Sequence, residues 1–133
     1  MTSAAALSAV RAAVAAGKAR GVPVVAAAVD TGGHLLACLR ADGAFCASVD
    51  IARDKAFTAA VFGASTDDLR AALRHDQVLL DGIAARQNVV LFGGGVPVRE
   101  NGVVIGGLGV SGGSEDDDRA AAHAGLAALG QPG

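Results

Sequence analysis

The chain has 133 residues, a length typical of one domain, and 52% of them are hydrophobic although only 3% are aromatic. Its formal net charge of −2, without a basic cluster, excludes the positive surface that nucleic-acid binding requires. No apolar run reaches the length of a membrane span, and the first residues lack the basic segment of a signal peptide. We therefore expect one domain over residues 1–133, located in the cytoplasm, with no nucleic-acid or membrane partner.

Hydrophobic periodicity and turn residues divide the chain into helices and strands. Apolar residues at helical spacing predict helices, apolar runs bounded by glycine predict strands, and Asn101-Gly102 is a strong hairpin turn. In chain order, the predicted elements are a helix over Ala4–Arg20, strands over Val22–Asp30 and His34–Leu39, helices over Cys46–Phe62, Thr66–Leu73 and Val78–Ala84, strands over Val89–Phe92, Val96–Val98 and Val103–Ser111, and a helix over Glu115–Leu129. This order predicts an α+β domain with an antiparallel sheet of about five strands covered by helices.

Polar residues next to these helices predict where they begin. Ser3 is expected to cap the first helix, and Thr66 or Asp67 the third. Ser114, with Asp117 three residues later, predicts a capping box for the last helix. Residues 131–133 are expected to form a frayed tail.

Glycine is unusually dense between Leu91 and Ser114. Glycine weakens a strand, so its presence there indicates close approach of another chain, a facing helix or a flat ligand. Small alanine and valine side chains supply most of the hydrophobic content and bury little area each. We therefore expect apolar surface to remain for subunit contact, and the chain to form a homo-oligomer. The two cysteines, Cys38 and Cys46, are expected to be free thiols.

Five segments in order, spread over nearly the whole chain, carry a family pattern. They are Val29-Asp30-Thr31-Gly32-Gly33, Arg40-Ala41-Asp42, Ser48 through Ile51 to Lys55-Ala56, Phe92 through Gly93-Gly94-Gly95 to Val98, and Val104 through Val110-Ser111 to Gly113. Together they resemble the GlcG/HbpS family, which includes the C-terminal domain of PduO-type corrinoid adenosyltransferases. The resemblance implies a profilin-like α-β-α layered domain that forms dimers or larger assemblies. Some members bind haem, but the family is not united by one reaction.

Lys55 is the first candidate for chemistry. It shares one helix face with Ser48, Ala52 and Ala59. A lysine among small residues either extends to the rim or points into a cavity, where it would bind a carboxylate or titrate low enough to act as a base or imine former. The alternative is an ion pair at a subunit contact with a nearby aspartate, Asp42, Asp50 or Asp54.

Arg40 and Asp42 precede the Lys55 helix. They would form a planar cation and a base at a pocket mouth, with Arg40 holding a carboxylate, or else a structural ion pair that shapes the turn. The backbone amides of the glycine loop would hydrogen-bond a substrate oxygen or stabilise an enolate, or the loop only lets the chain turn. This loop consists of Gly93, Gly94 and Gly95.

None of the three histidines, His34, His75 and His123, has a partner at zinc spacing, so no metal site is predicted. Haem needs only one axial ligand, which any of them would supply, although the scarcity of aromatic residues argues against haem.

We predict one ligand pocket and an accessory protein that binds a small organic ligand, with haem or another tetrapyrrole as the leading candidate. The first alternative is an isomerase or lyase acting on a carbonyl or carboxylate substrate, with Lys55, Arg40 and Asp42 as catalytic residues. The second is a structural oligomer without a ligand. The ligand-binding residues are predicted to be Phe45, Ser48, Gly93, Gly94, Gly95 and His34.

Overall fold

The structure is a computed structural model that describes residues 1–131, so Pro132 and Gly133 of the predicted tail lie outside the described residues. Within this range the chain forms five helices and four strands. They are α1 (Ser3–Ala19), β1 (Val25–Val29), β2 (Leu35–Arg40), α2 (Ala47–Phe62), α3 (Thr66–Leu73), α4 (Gln77–Ala84), β3 (Gly95–Glu100), β4 (Val103–Ser111) and α5 (Glu115–Ala127). No helix of this range is both long and apolar enough to cross a membrane. Location in the cytoplasm stays a prediction.

The strands form one antiparallel sheet in the order β2-β1-β4-β3. Helix α2 packs on one face of this sheet, and α1 and α5 cover the other. The predicted α+β class with α-β-α layers is therefore confirmed. Both faces are covered, which explains why β1 is apolar along its whole length. Its Ala26 and Ala28 join the core beneath α1 and α5, whereas Val25 and Ala27 pack towards α2.

The sheet has four strands rather than the predicted five or so, because residues 89–92 do not form a strand. Asn88 adopts a left-handed conformation with φ 68°. The backbone N–H of Val90 then donates to the Thr58 hydroxyl of α2 at 3.0 Å. This segment is therefore fixed to a helix side chain instead of a neighbouring strand.

Helix caps follow the predicted chemistry but not always the predicted residue. Thr2 caps α1, since its hydroxyl accepts the Ala5 N–H, and Ser65 caps α3 in the same way. In both cases the hydroxyl residue just before the predicted one has the extended backbone that a cap requires. The predicted capping box of Ser114 and Asp117 is present at α5.

The glycines of β4 bring α2 directly onto the sheet. A Cβ atom on Gly107 would collide with the carbonyl oxygen of Ala56, and one on Gly109 with that of Ala52. Of the three explanations for the dense glycines, the facing helix therefore applies in β4. The small residues of α2 complete this close contact between helix backbone and strand backbone.

Replacing Gly109 with Ala tests this packing. Because the new methyl group would meet helix backbone that cannot yield, we expect Gly109→Ala to lower the free energy of unfolding by about 3 kcal/mol. Urea denaturation measures the change.

Gly82→Ala is the matched control. Gly82 lies inside α4 with nothing within 4 Å of an added Cβ. There alanine should stabilise the helix by about 0.5–1 kcal/mol. Equal effects of the two substitutions would contradict the packing described for β4.

Candidate functional site

The Lys55 ammonium lies in the protein interior, at the end of the sheet where β4 leads into α5. The residue is only 1% exposed. Its Nζ donates to the carbonyl oxygen of Val110 at 2.9 Å and to Oδ2 of Asp118 at 3.0 Å. The ring centroid of Phe92 lies 4.9 Å from Nζ, a cation–π distance. An ion pair does form, but with Asp118 rather than with any of the three nearby aspartates considered from the sequence.

Asp118 approaches this ammonium from α5 and is 4% exposed. Its second oxygen, Oδ1, accepts the backbone N–H of Gly113 at 3.0 Å. Both carboxylate oxygens therefore have donors, and within residues 1–131 no buried side-chain N or O atom lacks a hydrogen-bond partner. The pair is a fully bonded unit joining α2, β4 and α5.

Desolvation dominates the electrostatics of this pair. Burial lowers the pKa of the Lys55 ammonium, and the negative charge of Asp118 opposes that shift. Burial raises the pKa of the Asp118 carboxyl, against the attraction of Lys55. Because burial is the larger effect in both groups, each charge is tolerated only while its partner is present.

Gly94 covers the pair and has a φ of 122°, which L side chains rarely adopt. A Cβ atom at this position would lie 2.6 Å from the Val110 oxygen and 2.9 Å from Lys55 Nζ. Glycine is therefore required here by close approach of the buried pair.

The neighbouring amides of the glycine loop already have acceptors within the protein. The Gly93 N–H donates to Oε1 of Glu115 at 2.9 Å, and the Gly95 N–H to the hydroxyl of Thr66 at 3.1 Å. These two amides fix the loop against α5 and α3. The geometry thus favours a structural role for the loop over stabilisation of a substrate oxygen.

The structure does not gather the predicted site residues into one cavity. Arg40 and Asp42 line one cavity, Gly94 and Gly95 line another, and His34 lines a third. The remaining residues line none of these three. They are Lys55 in the interior, buried Ser48, Gly93 beneath a guanidinium, and Phe45, which is 72% exposed.

The geometry therefore separates Lys55 from Arg40 and Asp42, the other two residues predicted to be catalytic. The Lys55 ammonium is hydrogen-bonded to Val110 and Asp118, and Lys55 does not line the cavity that contains Arg40 and Asp42. Arg40 instead donates from Nη1 to the Cys46 sulfur at 2.7 Å. Both cysteines are free thiols. The catalytic assignment stays a prediction.

The cavity that includes part of the glycine loop lies between α3, β3 and α5. Its volume is about 500 Å³. Its apolar lining comes chiefly from β3 and α5, and its basic groups are Arg99, Arg119 and His123. Arg119 binds Asp67 through two hydrogen bonds, of 2.7 and 2.8 Å. These hydrogen bonds lower the pKa of Asp67, so its carboxylate stays charged and paired.

The His34 cavity is smaller, at about 300 Å³. His34 Nδ1 lies 3.2 Å from Oδ1 of Asp30. The His34 backbone N–H donates to the same oxygen and lowers the pKa of the Asp30 carboxyl. This histidine is therefore held within its own turn.

The sequence reasoning missed Asp118 and Arg99. Arg99 lies in β3, and no sequence pattern marks it. Asp118 does carry a signal, because it lies on the same helical stripe as the buried residues Ala121, Ala122 and Gly125. An acid on an apolar stripe requires a buried cation.

Comparison with known proteins identifies relatives of the whole domain. The profile of a family described as Haem degrading protein HbpS-like matches residues 1–127. An uncharacterized 15.0 kDa protein in the dhaT-dhaS intergenic region of Citrobacter freundii is 42% identical over 106 residues, which cover 79% of this chain and 75% of that protein.

Solved structures agree with this match. A double mutant of Streptomyces reticuli HbpS superposes with a TM-score of 0.89 at 39% identity, covering 98% of this chain and 88% of the other. The structure described as the PduOC:Heme complex gives a TM-score of 0.88 at 33% identity, covering 96% of this chain and 94% of the other.

The first test of the site concerns the Lys55–Asp118 pair. Lys55→Met should lower the free energy of unfolding by about 3–5 kcal/mol, since Asp118 is left buried without its partner. Lys55→Met combined with Asp118→Asn should recover much of this loss, because the amide keeps an acceptor for the Gly113 N–H and carries no charge. Urea denaturation of the wild type, the single variant and the double variant measures both effects.

The destabilisation caused by Lys55→Met should depend on pH, because it leaves the Asp118 carboxyl buried without a cation. A carboxyl whose folded-state pKa is raised favours folding at low pH and loses that contribution as pH rises through the folded-state pKa. The cost of Lys55→Met should therefore be smaller at about pH 4 than at about pH 7. Arg53→Met, which removes an exposed pair with Asp50, is the control and should cost about 1 kcal/mol or less. Equal costs of Lys55→Met and Arg53→Met would contradict a buried pair.

Proposed function

The chain belongs to the HbpS-like family, and we propose that it is an accessory protein that binds haem. The observation that carries the proposal is the likeness to the PduOC domain, whose structure is a complex with haem. The family match over residues 1–127 supports the same ligand class.

The cavity between α3, β3 and α5 fits what haem requires. Haem binding uses an axial donor, an apolar wall and a cation near the propionates. His123 supplies an imidazole that has no hydrogen bond to any of residues 1–131, and Arg99 supplies a guanidinium. Val96, Pro97 and Leu126 supply the apolar wall.

The other two histidines fit less well. His34 is hydrogen-bonded to Asp30 and opens onto the smaller cavity of about 300 Å³. His75 lines none of the cavities described for residues 1–131. We therefore propose His123 as the residue that would bind the haem iron.

Different residues of this cavity would contact different parts of haem. His123 would bind the iron, Arg99 would pair with a propionate, and the apolar wall would exclude water from one face. Arg119 pairs with the Asp67 carboxylate and partly offsets its charge, although the same guanidinium also pairs with Asp116 and Glu115. When bound, haem supplies the iron centre for redox or oxygen chemistry.

Titration with haemin tests the proposal. The wild-type protein should give a saturable Soret band, and His123→Ala should weaken binding about tenfold or more and shift that band, because the axial donor is lost. Absorbance spectroscopy measures both the affinity and the band position.

His34→Ala and His75→Ala are the matched controls and should bind haemin as the wild type does. If His34→Ala abolished the Soret shift while His123→Ala did not, the placement of haem would be wrong. Absence of saturable binding to the wild-type protein would contradict the function itself.

Self-association is part of the same proposal. No residue of α4 is buried, and its Val78 is 84% exposed. Exposed apolar side chains on a helix that adds no residue to the domain core favour contact with a second copy of the chain.

Sedimentation at micromolar concentration should therefore show a dimer or a larger assembly. Val78→Asp should shift the protein towards monomer, because a charge would be buried in the contact. Val103→Asp changes an exposed strand residue and should leave the assembly intact. A wild-type monomer would contradict self-association.

A further inference from the structure

A separate cavity lies between the C-terminal end of α1 and the end of β2. Its volume is about 640 Å³, within the range of small-molecule sites. None of its lining residues belongs to the cavity that contains His123. The haem proposal therefore leaves it without a role.

Two cations in this cavity lack ionic partners. Lys18 in the last turn of α1 and Arg40 at the end of β2 make no salt bridge with any of residues 1–131. Other arginines of the surface also lack salt bridges, but Lys18 and Arg40 line one cavity together. The cations of this cavity are thus available to an anion.

Arg40 is also oriented by the protein. Its Nη1 donates to the Cys46 sulfur at 2.7 Å, which restrains the guanidinium and leaves its other N–H groups for a ligand. A restrained planar guanidinium suits two-point binding of a carboxylate.

The other lining residues indicate the net charge of the ligand and the character of its uncharged part. Apolar side chains form one wall, and Leu39 remains 36% exposed there although it is large and hydrophobic. Asp42 is the acidic residue in the lining, so Lys18, Arg40 and Asp42 together leave one positive charge. That balance matches a monoanion better than a dianion such as phosphate. The apolar lining residues are Val14, Val22, Pro23 and Leu39.

We infer that this cavity binds a monocarboxylate with an apolar body. Arg40 and Lys18 hold the carboxylate, and the hydrocarbon part covers the apolar wall. Arg40 would then hold a carboxylate, as considered from the sequence, but as a binding rather than a catalytic residue and in a cavity without Lys55 or the glycine loop.

Octanoate is the probe. Isothermal titration should show saturable binding at one site, with butanoate weaker because less apolar surface is buried. Octanol, which has the chain without the charge, should bind at least about tenfold more weakly. Arg40→Gln should reduce octanoate affinity about tenfold, since a charge-assisted hydrogen bond is lost.

Arg74→Gln is the matched control, because it removes an exposed guanidinium that lines none of the cavities described for residues 1–131, and it should leave octanoate affinity unchanged. The inference is overturned if octanoate does not saturate the wild-type protein, if octanol binds equally well, or if Arg40→Gln has no effect. Protein saturated with haemin should bind octanoate unchanged. Competition between haemin and octanoate would show that the two sites are not separate. If haemin does not bind at all, the octanoate titrations still test this cavity independently.

Discussion

The salt bridge between Lys55 and Asp118 joins helices that lie on opposite faces of the sheet. Lys55 extends from α2 and Asp118 from α5. The Lys55 ammonium donates both to Asp118 and to the carbonyl oxygen of Val110 in β4. Two buried charges can be kept only if every donor and acceptor is satisfied and water is excluded. Gly94 makes that closure possible, because a side chain there would meet the ammonium.

The same interaction places the proposed haem cavity. Asp118 points inwards and fixes the first turns of α5, so Arg119 and His123 on that helix face the space beside α3 and β3. The Arg119–Asp67 hydrogen bonds then join α5 to α3 across the rim. A ligand site built on helices held by a buried pair is more rigid than one built on loops alone.

The sequence was sufficient for the architecture because local patterns determine it. Asn101 and Gly102 both have positive φ at the β3–β4 turn, as the hairpin signal predicts, and α2 does bury Ser48 and Lys55 on one face. The extra strand was wrong because a long-range hydrogen bond to Thr58 determines that segment. The ion pair was missed for a similar reason, since its partners lie 63 positions apart and no local spacing connects them.

The Lys55 amine is a structural ion-pair partner and not a reactive group open to a ligand. The chain has two lysines, and exposed Lys18 serves as an internal reference for Lys55. Pulsed acetylation of the folded protein, followed by peptide mass spectrometry, measures both rates. Acetylation of Lys55 should be at least about a hundredfold slower than that of Lys18, because it requires opening of the fold. Equal or faster acetylation of Lys55 would show an accessible amine and would contradict the account.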